Sequence, residues 1–500
     1  MRPQQTRDEI VRLLTADPGL PVASPTQSYW QRDPHALAST RSPVLPRTVD
    51  IAIIGSGVTG ASVSKAILEN DPKLRVALFE ARTLCSGATG RNGGQLATAA
   101  GGDYSSLVAN FGAETAGKIV NLTIKTTSKM REMILKYAPT SCDFQDTTKI
   151  RVYLDSASFQ AAKSSVEQLE RDHPLLKGEF KIIGSQKIKV SKNSPYDLEL
   201  IMALARVTEL CCIAAGSVWP YRFITKVFEA LLEQHRARFT IETNTPVTSI
   251  TYDGPGSHPY QLHTPRGTVR CTKVIHCTNG YAGHLLPGLR GCMFPLTGSM
   301  TVQNLQSSIP NRGTSYSWGF HYLMRQDYQT GKIMDGLQYL IQSPKSNLFF
   351  FGGDYATWEE LLHADDSRMC DTSVDVLQKT LPLYFEGKEK DVPPQKGKLV
   401  SAWTGTMGFS ADGVPVVGQV PSSLSLRRGS GEFAAVAFNG YGMPNCWLVG
   451  EVLAKLALGG TAPEWFPDCY LITDKRLQTS LTLERSIGEV QLPEVQASKI

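Results

Sequence analysis

VDIAIIGSGVTGASVSKAILENDPKLRVALFEARTLCSGATGRNGG, residues 49–94, opens with an apolar, β-branched run, Val49–Ile54, of the length of a buried strand. Gly55-Ser56-Gly57-Val58-Thr59-Gly60 follows, then a helical stretch Ala61–Glu69, then a second apolar run, Arg75–Phe79, ending at Glu80. This order predicts a β-α-β unit with its glycines at the first turn. Gly55 suits the tight turn, Gly57 lets a pyrophosphate approach the backbone, and Gly60 lets helix and strand pack closely. Glu80 lies 20 residues beyond Gly60, where a carboxylate accepts ribose hydroxyls. Strand before, helix after and acid at the next strand end together point to a dinucleotide site, which glycines alone would not.

Glu80, with Ala81 and Arg82 beside it, runs into a second glycine-rich stretch, Ser86-Gly87-Ala88-Thr89-Gly90-Arg91-Asn92-Gly93-Gly94-Gln95. NAD folds need no such loop there. In these two motifs the chain resembles the FAD-dependent D-amino-acid oxidase superfamily, which includes glycine oxidase, sarcosine oxidase, gamma-glutamylputrescine oxidase and related fungal proteins. The resemblance implies that the second loop starts a helix beside the flavin diphosphate and ring. Small residues let backbone N–H groups turn toward an anion, and Arg91 would add charge. The FAD contacts expected here are Ser86, Thr89, Arg91, Asn92, Gly93, Gly94 and Gln95.

Five hundred residues are enough for a large core and more than one ordinary domain. The chain is 41% hydrophobic and 19% charged, with a net charge of +5 and no basic block. That balance demands neither nucleic acid nor an anionic membrane. Ten cysteines are scattered without a CxxC pair or zinc spacing, which reads as reduced, mostly buried thiols in an intracellular protein. No apolar run approaches the ~20 residues that span a bilayer.

The fold class expected is α/β: a Rossmann-like FAD-binding domain interleaved with an antiparallel-sheet α+β substrate domain. Residues 1–47 are polar and proline-punctuated, lack a secretory signal, and read as an extension wrapping the surface. The FAD-binding domain takes 48–105, 215–290 and 400–470, the substrate domain 106–214 and 291–399, and 471–500 is a tail. Within 106–214 we expect a long helix Ala113–Tyr137, a strand Lys149–Leu154, a helix Ser156–Arg171, a strand Lys181–Val190 and a helix Leu198–Cys212. Tyr260–Thr264 and Val269–Cys271 read as a hairpin, and Lys273–Cys277 as a separate strand ending at Thr278-Asn279-Gly280-Tyr281, where an open α/β sheet meets its ligand. Strands Met293–Val302, Tyr316–Arg325, Gly336–Ser343 and Leu348–Gly353 would form an aromatic-rich antiparallel sheet, with helices Glu359–His363 and Ser373–Leu381 on its outer side. The resemblance sets Val247 against adenine and the Thr278–Gly280 loop against the cofactor.

A third motif block lies in Val400–Gly450. Trp403-Thr404-Gly405-Thr406-Met407 leads to Asp412-Gly413, and Asn439-Gly440-Tyr441-Gly442-Met443 opens a helix, Asn445–Leu458. A glycine-rich strand-to-helix junction aims N–H groups and a helix dipole at an electron-rich group. The resemblance makes that group the flavin N1–C2=O edge, with Gly405, Asp412, Gly440, Tyr441, Gly442 and Met443 among the cofactor contacts. It also implies oxidation of a C–N bond by hydride transfer to flavin, hydrolysis of the imine, and O2 as electron acceptor. Pocket candidates are Tyr281, Tyr322, Arg325 and Trp403; no acid–base residue is assigned.

Departures from the family pattern narrow the substrate. Amino-acid oxidases of this type place an arginine just after the Trp-x-Gly, where it pairs with the substrate carboxylate; here that place falls on Met407. The lysine that follows the final glycine loop in sarcosine oxidases falls near Met443, and the lysine near flavin N5 is replaced by an aromatic around Phe350. The expected substrate is therefore an amine without a free α-carboxylate, such as a polyamine derivative or a biosynthetic intermediate. The alternatives are a flavin dehydrogenase or cyclising oxidase of a phenolic or other non-amine metabolite, and a non-catalytic flavin-binding protein. The terminal Ser498-Lys499-Ile500 resembles the peroxisomal address Ser-Lys-Leu, so the expected location is peroxisomal or cytosolic.

Sarcosine oxidases hold FAD covalently through a cysteine near the position of Trp403, whereas this chain has no cysteine between Cys370 and Cys446. Acid or heat should release all of the FAD from the purified protein. Fluorescence remaining on the denatured band in a gel would contradict this.

Overall fold

Val49, Ile51, Ala52, Ile53 and Ile54 are all at most 7% exposed, as an interior parallel strand covered on both faces requires. The structure is a computed structural model describing residues 7–184, 209–305, 309–327, 329–385 and 397–490. The strand Thr48–Ile54 pairs in parallel with Val76–Phe79 on one side and Gly267–His276 on the other. Phe239–Glu242 and Glu432–Val436 extend the sheet in parallel at its two ends, and Val416–Gln419 closes one edge antiparallel. The hairpin Ser249–Tyr252/Tyr260–Thr264 continues from Gly267–His276. The helices Val58–Asn70 and Cys446–Ala457 pack against each other beside this sheet. Their closest approach includes Ser62 Oγ donating to Trp447 O.

The second sheet runs in the order Lys398–Ser410, Met293–Asn304, Phe349–Gly352, Leu337–Gln342, Tyr316–His321, Gln145–Tyr153, Glu209–Ser217 and Gln95–Leu96. Every pairing along it is antiparallel except Tyr316–His321 with Gln145–Tyr153. Its outer face packs Trp318, Phe320, Phe349 and Phe351 under the helix Asp371–Phe385 through Leu377, Leu381 and Phe385. Its inner face turns toward the second glycine-rich loop. The long helix Ala113–Tyr137 has the expected bounds.

Several expectations are corrected. Leu198–Cys212 is not a helix through Cys212: residues 185–208 lie outside the described residues, and Glu209–Ser217 is a strand. It pairs with Gln145–Val152, so Cys211 and Cys212 point to opposite faces, into separate clusters. A short apolar run reads equally as helix or strand from its period. Lys181–Gly184 is a strand; the rest of the expected Lys181–Val190 lies outside the described residues. Val269–Cys271 and Lys273–Cys277 are not separate but belong to one ten-residue strand, Gly267–His276. Tyr316–Arg325 breaks at His321, and Arg325 starts a strand of a small three-stranded sheet. Lys398–Ser410 stays in the second sheet, past the expected boundary at 399/400. The terminal Ser498–Ile500 lies outside the described residues. Among the described residues, no helix is long and apolar enough to cross a membrane.

The leader differs most from its expected surface course. Tyr29 and Trp30 are 6% and 3% exposed, inside the largest hydrophobic cluster. Trp30 stacks on Phe350 at 4.2 Å and 8°, with Trp219 and Trp403 edge-on. Its indole N–H donates to Asn92 O at 2.6 Å, so a residue of the leader supports the second glycine loop. Trp30→Ala should destabilise the protein by about 3–5 kcal/mol, the usual cost of truncating a buried large aromatic. Urea unfolding of the two proteins measures it, and a loss below about 1 kcal/mol would mean that the leader is only draped over the core.

Candidate active site

The turn Gly55–Gly60 joins the strand Thr48–Ile54 to the helix Val58–Asn70, which begins at Gly57 without a side-chain cap. A methyl group on Gly60 would lie 2.0 Å from Gly55 O, so only glycine permits this tight junction. Thr89 of the second loop accepts from the Val58 N–H at 3.0 Å, while Thr59 continues the buried first turn. Glu80 is 9% exposed. Its Oε2 accepts from Ser56 N–H at 3.1 Å and Ser56 Oγ at 2.6 Å, and its Oε1 from Arg82 N–H at 3.0 Å. A carboxylate oxygen has two acceptor sites, so Oε1 keeps one for a hydroxyl. Ser86 Oγ and Thr278 Oγ1 are buried without an internal partner. An uncapped helix start, an oriented acid and orphaned hydroxyls fit a dinucleotide such as FAD. Val247 is 3% exposed within the apolar cluster below the expected adenine end.

The arginines are arranged differently from expectation. Arg91 is 2% exposed; its Nε donates to Thr404 O at 2.7 Å, its Nη2 to Thr26 O and Oγ1, and it lies 3.4 Å from Asp366. Arg82 Nη1 contacts both oxygens of Asp366 at 2.9 and 3.0 Å and its Nη2 donates to Ser86 O. Both guanidiniums therefore meet at the buried Asp366 carboxylate, which is 1% exposed and needs a cationic partner. Asp412 is likewise engaged: Arg476 grips both its oxygens at 2.8 and 2.9 Å and also donates to three carbonyls. Sequence reading missed Asp366 and Arg476, which lie far in sequence from the residues they hold.

The second loop meets the second sheet closely. Asn92 Oδ1 accepts from Gly94 N–H at 2.8 Å, and Gln95 Nε2 donates to Trp318 O and Leu340 O. A methyl on Gly93 would lie 2.5 Å from the Tyr339 ring. Trp403, Met300, Gly352, Tyr339, Gly319 and Arg151 are successive lateral partners across the strands, and so share the face beneath that loop. Trp403 is fully buried and donates to Arg91 O, as a support of the loop and not a pocket wall. Phe350 is 2% exposed and stacked on Trp30.

Of the pocket candidates, Arg325 is exposed. Tyr281 donates to Ala364 O and Thr406 Oγ1, and burial foremost lifts its hydroxyl to about 12. Tyr322 Oη is buried without a partner, near Asp335 and Asp354. Gly280 packs under the strand bearing Gly405 and Met407, and Asn279 accepts from Phe438 N–H at 3.3 Å. Gly440, Gly442 and Met443 lead into the helix, with Met443 8% exposed. Tyr441 is 38% exposed, yet burial, then Asp103, raises its hydroxyl to about 12. Burial raises Asp354 to about 6, and burial followed by the Asp354 charge raises Asp335 well above the carboxylate range.

Glu80→Ala removes an acceptor for the cofactor. Charge-assisted hydrogen bonds contribute about 1.5–3 kcal/mol each, so the FAD dissociation constant should rise at least about tenfold. Unchanged affinity in a fluorescence titration would exclude Glu80 from FAD binding.

The FAD dependent oxidoreductase (DAO) profile matches residues 50–456. The chain is 22% identical over 438 residues to gamma-glutamylputrescine oxidoreductase of Escherichia coli (strain K12), covering 87% of this chain and 89% of that protein. The glycine oxidase structure from Geobacillus kaustophilus aligns with a TM-score of 0.61 at 17% identity, over 86% of this chain and 99% of that one. L-proline dehydrogenase from P. horikoshii aligns with a TM-score of 0.62 at 16% identity, over 87% and 99%. With its uncapped helix start, its oriented Glu80 and a profile match spanning both sheets, the chain belongs to the FAD dependent oxidoreductase (DAO) family and is an FAD-dependent enzyme.

Proposed function

We propose that the protein oxidises a C–N bond of an amine lacking a free α-carboxylate, with O2 as the electron acceptor. FAD supplies the hydride acceptor. The observation that carries this reading is the position of Met407. A methyl on Gly298 would lie 2.9 Å from Met407 Cε and 3.4 Å from Asp354 Oδ2. The place where an arginine would hold a carboxylate thus carries a thioether with a carboxyl group next to it.

Asp354 is held in place by Ser299 N–H, 3.0 Å from its Oδ1. Asp335 accepts from Leu337 N–H at 3.3 Å and from the Asp354 N–H. Two carboxyl groups in one desolvated place do not both ionise readily. As pH rises through about 6, Asp354 ionises first and becomes able to receive an ammonium group, while it disfavours a substrate carboxylate. The relative named for gamma-glutamylputrescine supports an amine.

Glycine and D-alanine should reduce the flavin poorly. A carboxylate left without its charged partner forfeits about 1.5–3 kcal/mol, or about 10–100-fold in kcat/KM relative to an amine of similar size. Anaerobic flavin reduction with paired amines and amino acids measures this. Efficient turnover of glycine would overturn the reading.

A further inference from the structure

The inner face of the second sheet carries a group of charges that the amine chemistry does not use. Lys149 and Arg151 alternate on one face of the strand Gln145–Tyr153, paired in register with Ser317 and Gly319. A methyl on Gly319 would lie 3.1 Å from His321 Nε2 and 3.3 Å from Lys149 Cε, so the bare glycine lets both side chains lie over the sheet. Arg151 Nε donates to His321 Nε2 at 3.1 Å, which leaves the imidazole neutral with its proton on Nδ1. Arg151 Nη1 donates to Ala99 O at 3.1 Å, and Nη2 lies 3.7 Å from Asp103.

Lys149 is 6% exposed and makes neither hydrogen bond nor ion pair among the described residues. Tyr153 Oη, Thr147 Oγ1 and Ser317 Oγ, on the same face, are buried and unpartnered. An unpaired buried ammonium is costly. Burial, then the charge of Arg151, holds Lys149 down to about 7, and burial with both cations holds His321 well below its usual value. The groups facing Lys149 from the surrounding elements are Arg151, His321 and Asp103, with Tyr153, Cys211 and Tyr441 around Arg151. With Lys149 protonated, Asp103 balances one of the two positive charges and one remains. Tyr441 feels both Arg151 and Asp335. Arg151 also stands in the lateral row Arg151–Gly319–Tyr339–Gly352 of the inner sheet face, and Tyr339 in that row feels Asp354 and Asp335, so the basic group lies within electrostatic reach of the two aspartates.

We propose that Lys149 and Arg151 form an anion-binding subsite that takes a single carboxylate carried by the substrate away from the C–N bond being oxidised. Its place within the substrate rests on the amine reading above; the binding of an anion there does not. One unbalanced positive charge matches a monoanion better than a phosphate dianion. Above neutral pH, binding would bring a proton onto Lys149, because the anion restores the charge that burial suppresses.

The test uses full-length, FAD-loaded protein and calorimetric titration with pentanoate, with pentanamide and inorganic phosphate as controls. Pentanoate should bind at pH 6, at least tenfold more weakly to Lys149→Met, and comparably to Lys149→Arg. At pH 8 the heat should depend on the buffer ionisation enthalpy, reporting proton uptake that Lys149→Met loses. Thermal unfolding of each holoenzyme checks that the variants are folded. No pentanoate binding to the wild type, equal affinity in folded Lys149→Met, or pentanamide binding as well as pentanoate would overturn the subsite. Tighter binding of phosphate than of pentanoate would overturn the carboxylate assignment. If 5-aminopentanoate reduces the flavin faster than pentylamine in the wild type but not in Lys149→Met, the placement in the substrate is supported. Pentanoate binding without flavin reduction by any amine would uphold the subsite and overturn the amine reading alone.

Discussion

The Asp366 carboxylate joins the parts of the molecule that make the cofactor site. It is 1% exposed and sits between Arg82 at the end of the second parallel strand and Arg91 of the second glycine loop. Its own carbonyl accepts from the N–H and hydroxyl of Thr26 in the leader, and Arg91 reaches from there to Thr404 of the second sheet. Four segments remote in sequence thus meet at one buried charge. Two charges and their partners removed from water favour the fold only when all are in place, and losing one partner of such a cluster costs about 3–5 kcal/mol. The loop that the cofactor is expected to meet is therefore held from below by ionic contacts and from the side by aromatic ones, with Trp30, Phe350 and Trp403 around it.

This arrangement explains which parts of the site were legible in the sequence. The strand–glycine–helix turn is local: residues 54–60 dictate it and Glu80 follows at fixed spacing, so both were readable. The antiparallel sheet was readable as strands, because alternating apolar residues mark a sheet with one covered face. Its register was not. Which residue stands beside which depends on pairing between strands more than a hundred residues apart, such as Arg151 with Gly319. The cation neighbourhood of Arg151 and His321 arises from that pairing; the aspartates at 335 and 354 sit in connections between strands, and the Asp412–Arg476 pair joins a turn to the helix Asp474–Thr479, so none of them leaves a local signal. The direction of the Arg91 side chain depends on Asp366, 275 residues away, and was not readable either.

In the strand Lys398–Ser410, Met407 pairs with Leu296 and Gly405 with Gly298, so the thioether shares the sheet face of Met300 and Trp403. The electrostatic field over this face is uneven. Tyr339 feels the charges of Asp354 and Asp335, and Tyr441 those of Asp103, Arg151 and Asp335. A molecule entering such a field is oriented before any specific contact forms.

The placement of the leader has a consequence for biosynthesis. Thr26 and Trp30 leave the ribosome before their partners Phe350, Asp366 and Thr404, which are made more than 300 residues later. At roughly 5–20 residues per second, the indole of Trp30 waits about tens of seconds without the ring it will stack on. The parallel strands Thr48–Ile54 and Gly267–His276 are complete well before that. The nascent chain therefore passes through a stage in which the nucleotide fold has most of its strands while the apolar segment around Trp30 still lacks its later partners. Docking of that segment is a closing event of folding, dependent on contacts of long sequence separation. A chaperone that shields short apolar stretches would act on it in that interval.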